Sequence, residues 1–216
     1  MEDFSRRIDY SLYLVTDRGL AGGKSTLEIV RAAVMGGVTC VQLREKKGST
    51  RELVAEALAV RDLLRSHHIP LIINDRLDVA LAVQADGLHL GQTDMPLEFA
   101  RRIVGKSMII GISAESVNDA VEAEKGGADY ISVSPVFSTP TKTDTALPLG
   151  LEGLKKIRGR VSPPLVAIGG LNRKNVEAVI RNGADGVAVV SSIVCAQDPM
   201  QEARELKRLI QKARST

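Results

Sequence analysis

Two aspartates stand just past short apolar runs. Leu71-Ile72-Ile73-Asn74 ends at Asp75, and Gly87-Leu88-His89-Leu90 leads through Gly91, Gln92 and Thr93 to Asp94. Carboxylates held at the ends of neighbouring strands form a hard oxygen donor set. Mg²⁺ suits such a set, because it takes one or two carboxylates and completes its shell with phosphate oxygens and water. The matching cations lie in Gln42-Leu43-Arg44-Glu45-Lys46, where alternation along an extended chain points Gln42, Arg44 and Lys46 the same way. Arg44 and Lys46 opposite Asp75 and Asp94 suit a diphosphate, with Mg²⁺ bridging it to the carboxylates. The plain structural alternative is a salt-bridge network closing the top of the fold.

Further candidates surround this cluster. Ser138-Thr139-Pro140-Thr141-Lys142-Thr143-Asp144 is a polar, hydroxyl-rich stretch, longer than a usual connection, and Lys142 could reach a departing anion from it. His89 sits between Leu88 and Leu90, so its side chain points away from theirs, into the fold, as a candidate ligand contact or as an internally bonded histidine. His67 and His68 end a helical stretch before Pro70 and are assigned no role.

These residues need a scaffold that gathers strand ends on one face. Apolar runs of strand length occur at Ser11–Val15, Cys40–Leu43, Leu71–Ile73, Gly87–Leu90, Met108–Ile112, Tyr130–Val133, Leu165–Ile168 and Gly186–Val190. Amphipathic segments alternate with them, at about Thr26–Met35, Thr50–Ser66, Arg76–Val83, Pro96–Val104, Ser116–Lys125, Leu151–Arg158, Arg173–Asn182 and Pro199–Ala213. Gly36-Gly37-Val38-Thr39, Gly126-Gly127-Ala128-Asp129 and Asn182-Gly183-Ala184-Asp185-Gly186 each close a helix before a strand, with Gln84-Ala85-Asp86-Gly87 as an echo without the glycine pair. Strict alternation with near-continuous apolar strands predicts a parallel sheet covered by helices. Eight units predict a closed (β/α)8 TIM barrel, one domain over residues 1–216, with its active site at the carboxyl ends of the strands. A barrel's phosphate site is commonly built after strands seven and eight. There the sequence places Gly169-Gly170 and Ser191-Ser192, glycines that let backbone N–H groups approach an anion and hydroxyls at a helix start. Two anion sites on one face imply two phosphorylated substrates.

Composition narrows the partners. Apolar residues make up 44% and charged residues 25%, ordinary for a globular domain. The net charge of +3 and the 3% aromatic content, with no Trp, argue against nucleic acid. No apolar run approaches the ~20 residues of a membrane span, and the N-terminus lacks a secretory h-region. Cys40 and Cys195 have no metal or redox spacing, so the expected location is the cytoplasm. The sequence does not fix the oligomeric state; a homodimer is one option.

Gln42-Leu43-Arg44-Glu45-Lys46, Asn74-Asp75-Arg76, His89-Leu90-Gly91-Gln92-Thr93-Asp94, Ser134-Pro135-Val136-Phe137, Thr139-Pro140-Thr141-Lys142, Ala167-Ile168-Gly169-Gly170 and Val190-Ser191 together resemble the thiamine-phosphate synthase family over essentially the whole chain. The resemblance implies a transferase that joins a pyrimidine diphosphate to a thiazole phosphate. It places the first near Gln42, Leu43, Arg44, Glu45, Lys46, Asn74, Ser113 and Lys142, with one Mg²⁺ on Asp75 and Asp94. It places the second against Thr139, Pro140, Thr141, Gly170, Val190 and Ser191. Arg44, Lys46, Lys142 and Ser113 would be the catalytic set, helping diphosphate to depart before the thiazole nitrogen attacks, so no general base is required. Ser134 stands where the family pattern leads one to expect Gly. Two rivals remain. A thiazole tautomerase would need no diphosphate site, and a silent thiamine-phosphate-binding barrel would need no metal set. A phosphosugar isomerase would call for an acid/base pair that the strand ends lack.

Overall fold

The computed structural model describes residues 8–139 and 147–215, and the predicted alternation runs through both stretches. The strands are β1 (Leu12–Val15), β2 (Cys40–Leu43), β3 (Leu71–Asn74), β4 (Gly87–Leu90), β5 (Ile109–Ala114), β6 (Tyr130–Val133), β7 (Leu165–Ala167) and β8 (Gly186–Val189). Each pairs in parallel with the next, and β8 returns to β1 through Leu14↔Val189, so the barrel closes. Outside lie α1 (Thr26–Met35), α2 (Thr50–Arg65), α3 (Leu77–Ala82), α4 (Leu97–Val104), α5 (Val117–Lys125), α6 (Gly150–Arg158), α7 (Val176–Arg181) and α9 (Pro199–Arg214). A four-residue helix, α8 (Ser191–Val194), follows β8 directly, and a 3-10 turn at Arg18–Leu20 follows β1. Among the described residues, no helix is long and apolar enough to cross a membrane.

Helix α7 starts three residues later than its apolar pattern suggests. Asn175 Oδ1 accepts from the Asn172 N–H and Asn172 Oδ1 from the Lys174 N–H, so the asparagines hold the backbone in a local turn. Such side-chain bonds compete with helix formation. Ser25 and Ser49 act the opposite way, as capping boxes with Glu28 and Glu52 that fix where α1 and α2 begin.

The near-repeat before alternate strands has a structural role. Thr39, Asp86, Asp129 and Asp185 each precede an even-numbered strand. Their side chains accept from the backbone N–H of Leu12, Leu71, Ile110 and Leu165, at or near the start of the preceding odd strand, at 3.1, 2.8, 2.7 and 2.7 Å. The same four bonds therefore recur around the amino-terminal rim. Gly37, Gly127 and Gly183 take the expected positive φ before them, and Gln84 takes the same conformation in the fourth copy.

Strand side chains divide between two cores. Leu12, Leu14, Val41, Leu43, Ile73 and their equivalents pack outward against the helices. Tyr13, Val15, Cys40, Ile72, Ile109, Tyr130, Val166 and Ala188 fill the barrel, joined by Tyr10 from below. Three tyrosines fit in so narrow a space because some inward positions carry no side chain. Gly111 pairs in register with Tyr130, and a Cβ there would stand 2.0 Å from Tyr130 Cζ. A Cβ on Gly186 would meet the Tyr10 carbonyl at 1.8 Å.

Candidate active site

A cavity of about 260 Å³ opens at the carboxyl ends of the strands. On one wall, β3 ends at Asp75, which takes a left-handed φ of +59° while its N–H donates to the His89 carbonyl at 2.8 Å. Strained backbone in a non-glycine residue is characteristic of functional positions. The Gly91 N–H donates to Asp94 Oδ2 at 2.7 Å, which turns the Asp94 carboxylate back toward β3. The two aspartates act on each other electrostatically. Burial, and then Asp94, push the Asp75 carboxyl up. Burial would raise Asp94 as well, but the bonds from Asp75 and Gly91 and the charge of Lys46 outweigh it and hold Asp94 low. Two negative charges this close are costly, which is the electrostatic condition a cation relieves.

The opposing cations are present as well. Lys46 Nζ bonds Asp75, and Arg44 Nη1 lies 3.1 Å from Asp17 Oδ2 while its own N–H donates to Thr16 Oγ1 at 3.0 Å. Gln42, Arg44 and Lys46 all line the cavity, as their alternation predicts. Leu43 and Glu45 do not. Leu43 is buried against the helices and Glu45 pairs with Arg18 at 3.0 Å, because alternate residues of one strand face opposite ways. Their side chains are therefore absent from the wall on which the resemblance had placed them.

Across the cavity stand Thr139, Gly169, Gly170, Val190 and Ser191. Gly169 and Gly170 have positive φ, and a Cβ on them would meet Pro135 at 2.7 Å and the Ser138 carbonyl at 2.6 Å. These glycines let the loops after β6 and β7 lie against each other, with Val136 N–H bonded to the Ile168 carbonyl at 2.8 Å. Ser191 begins α8, so the extra helix lies where a barrel phosphate site expects one. Asn74, Ser113 and Ser134 also face the cavity, whereas Pro140, Thr141 and Lys142 fall outside the described residues.

The thiamine monophosphate synthase family matches residues 12–193. This chain belongs to that family. It is 55% identical over 201 residues to the thiamine-phosphate synthase of Syntrophomonas wolfei, covering 93% of this chain and 96% of that protein. It is 52% identical over 203 residues to that of Chloroflexus aurantiacus, covering 94% of each. The solved thiamine phosphate pyrophosphorylase of Pyrococcus furiosus superposes with a TM-score of 0.89 at 42% identity, over 96% of this chain and 98% of that one.

Apart from His89, the motifs singled out in the sequence pass over the floor of the cavity. Tyr13, Tyr130, Ser132 and Glu115 line it too, and His89 is held there between Tyr130 and Ser113. Tyr13 and Tyr130 lie within apolar runs and look in the sequence like ordinary core aromatics. The one available signal was the opposed Gly111, which becomes visible once strand register is known.

Proposed function

We propose that the whole chain acts as one catalytic unit that condenses 4-amino-2-methyl-5-(diphosphooxymethyl)pyrimidine with 4-methyl-5-(2-phosphooxyethyl)thiazole or its carboxylated form, giving thiamine phosphate and diphosphate. The observation that carries this reading is one cavity with two unlike anion walls. Arg44, Lys46, Asp75 and Asp94 form one; Gly170, Val190 and Ser191 form the other. A tautomerase or a binding barrel has no use for the first wall.

Asp75 and Asp94 fit Mg²⁺: both are oxygen donors that line the same cavity, and each carboxylate shifts the other's titration. A metal held by these two carboxylates would supply neutralisation of the charge on the diphosphate. Lys46, now tied to Asp75, would be freed to contact the same diphosphate, and Arg44 is aimed by Thr16 and Asp17. Preorganised cations of this kind act most strongly where charge develops in the transition state. The bond from the methylene carbon to oxygen breaks, and the diphosphate leaves with the electron pair. The ring-stabilised methylene cation then accepts the lone pair of the thiazole nitrogen. That nitrogen carries no proton, so none has to be removed. Thr139, Gly170 and Ser191 hold the thiazole phosphate so that the nitrogen faces the cation. The substrates are small cytoplasmic phosphates in this reading.

Incubating the metal-stripped protein with both substrates and restoring Mg²⁺ tests it. Thiamine phosphate and diphosphate should appear in equal amounts, only after metal is added. Tautomerised thiazole without thiamine phosphate would overturn the reading.

A further inference from the structure

Below the two anion walls runs an unbroken line of hydrogen bonds. Gln42 Nε2 donates to Tyr13 Oη at 3.0 Å, and Tyr13 Oη lies 2.9 Å from Tyr130 Oη. Tyr130 Oη lies 2.8 Å from His89 Nδ1, and His89 Nε2 lies 2.9 Å from Ser113 Oγ. Gln42, Tyr13, Tyr130 and His89 are each less than a tenth exposed, so bulk water does not interrupt the line. Its two ends, Gln42 and Ser113, face the cavity.

Proton counting gives the line a direction. A phenol has one proton to donate, and a neutral imidazole donates from one nitrogen and accepts at the other. Tyr13 accepts from Gln42, so its own proton goes to Tyr130. Tyr130 then donates to His89 Nδ1, which leaves the proton on Nε2, and Nε2 donates to Ser113 Oγ. The Ser113 hydroxyl proton is therefore free to donate into the cavity. Turning the Gln42 amide over would reverse every bond. Gln42 would accept from Tyr13, His89 would carry its proton on Nδ1, and Ser113 would spend its proton on His89.

We propose that Tyr13, Tyr130 and His89 form a polarity relay that couples recognition of a hydrogen-bond donor at Gln42 to the donor state of Ser113. The inference rests on the condensation proposed above and deepens it. With its NH2 group directed to Tyr13, Gln42 offers its carbonyl oxygen to the ligand, which suits the exocyclic amine of an aminopyrimidine. The same orientation makes Ser113 a donor to the diphosphate oxygen on which negative charge grows, and bonds to charged acceptors are the stronger ones. A pyrimidine bearing oxygen in place of that amine would select the opposite polarity and lose the Ser113 donor. No proton leaves the line; only orientation is transmitted. Tyr13 and Tyr130 are thus positioning residues, and selectivity for the amine is built into the barrel floor.

The test combines a spectroscopic and a kinetic measurement. The chain has three histidines, and with ¹⁵N-labelled protein the His89 signals, assigned by their loss in His89→Gln, should report the Nε2–H tautomer without any turnover. Tyr130→Phe should leave His89 as a mixture of tautomers and lower kcat about tenfold, with the KM for the pyrimidine diphosphate changed much less. In a Ser113→Ala background the same substitution should lower kcat less than twofold, because the group it positions is gone. Tyr13→Phe breaks the line one link earlier and should repeat the pattern, which covers the case of a Tyr130 variant that fails to fold. An Nδ1–H tautomer in the unsubstituted protein, or equal losses in both backgrounds, would overturn the relay. A wild-type protein with the expected tautomer that makes no thiamine phosphate would overturn the condensation instead.

Discussion

Gly111→Ala places stability and activity on one methyl group. A strand glycine replaced by alanine ordinarily gains about 0.4–1 kcal/mol, since the unfolded chain loses freedom and no positive φ is needed at this site. Here the new Cβ would stand 2.0, 2.2 and 2.4 Å from Cζ, Cε1 and Oη of Tyr130. Ordinary carbon contact is ~3.5 Å, so the ring must retreat by roughly 1.5 Å. It has nowhere to go. Tyr130 is fully buried, with ring centroids of Tyr10, Tyr13 and His89 at 4.8, 6.0 and 5.6 Å. Overpacking of this kind costs ~1–3 kcal/mol. Movement of that size also breaks the bonds from Tyr130 Oη to Tyr13 and His89, and each buried group left without a partner costs ~1–3 kcal/mol more. The small gain is outweighed, and the net loss is roughly 4 kcal/mol. For a chain of this size each kcal/mol moves the melting temperature by ~2–4 °C, so the variant should melt about 8–16 °C lower. Calorimetry measures the first effect, and steady-state formation of thiamine phosphate the second, expected as a fall in kcat. A variant that melts within about 2 °C of wild type and keeps its kcat would refute the placement of Tyr130 across the barrel.

Two other substitutions separate site from scaffold. Asp75→Asn should lower turnover at least about a hundredfold, since even outer-shell partners of metal sites cost ten- to hundredfold. Burial and the neighbouring Asp94 raise the Asp75 carboxyl, so its contribution to the metal-free fold is complete below the ordinary carboxylate range and is lost as pH rises through the raised value. The Asn variant escapes that loss. Its melting temperature relative to wild type should therefore climb as the pH rises above the ordinary carboxylate range, and a falling difference would contradict the sign. Asp86→Ala removes the acceptor for the Leu71 N–H at the amino-terminal rim and should cost ~1–3 kcal/mol in denaturant titration with kcat unchanged. A change in kcat would show that the rim and the site are coupled.

Most of the barrel was legible because its signals are local. Turns related to Gly-Gly-Ala-Asp mark the returns to the even-numbered strands, and β2, β4, β6 and α1 begin and end where the sequence patterns do. The acidic and basic walls were legible for a related reason. Asp75, Asp94, Arg44 and Lys46 sit just beyond strand ends, where parity along the strand decides which way they face. Parity also turns the side chains of Leu43 and Glu45 elsewhere, although a motif carries them along with their neighbours. The fourfold acceptor pattern at the amino-terminal rim was half visible. The Ala-Asp repeats can be seen, but not that each reaches across to the neighbouring strand, nor that Thr39 stands in for Asp in the first copy.

The floor was hidden because its logic is non-local. Tyr130 is one aromatic in an apolar strand until it is paired with Gly111, nineteen positions earlier in sequence and adjacent only through the β5–β6 register. The phenol then bonds Tyr13 from the far side of the barrel and His89 two strands away, joining three strands through one oxygen. Buried tyrosines ordinarily need a single partner for the hydroxyl. Two partners on one phenol, with a glycine emptied to admit the ring, satisfy more than packing requires. Tyr10, also buried and tilted against Tyr130, has no such partner for its own hydroxyl among the described residues. Filling the barrel therefore does not by itself account for hydrogen-bonded phenols. The bonds run where Gln42 and Ser113 face the cavity, and Tyr10, below that line, goes without. This contrast places the selective reason for Tyr13 and Tyr130 at the active site rather than in the core.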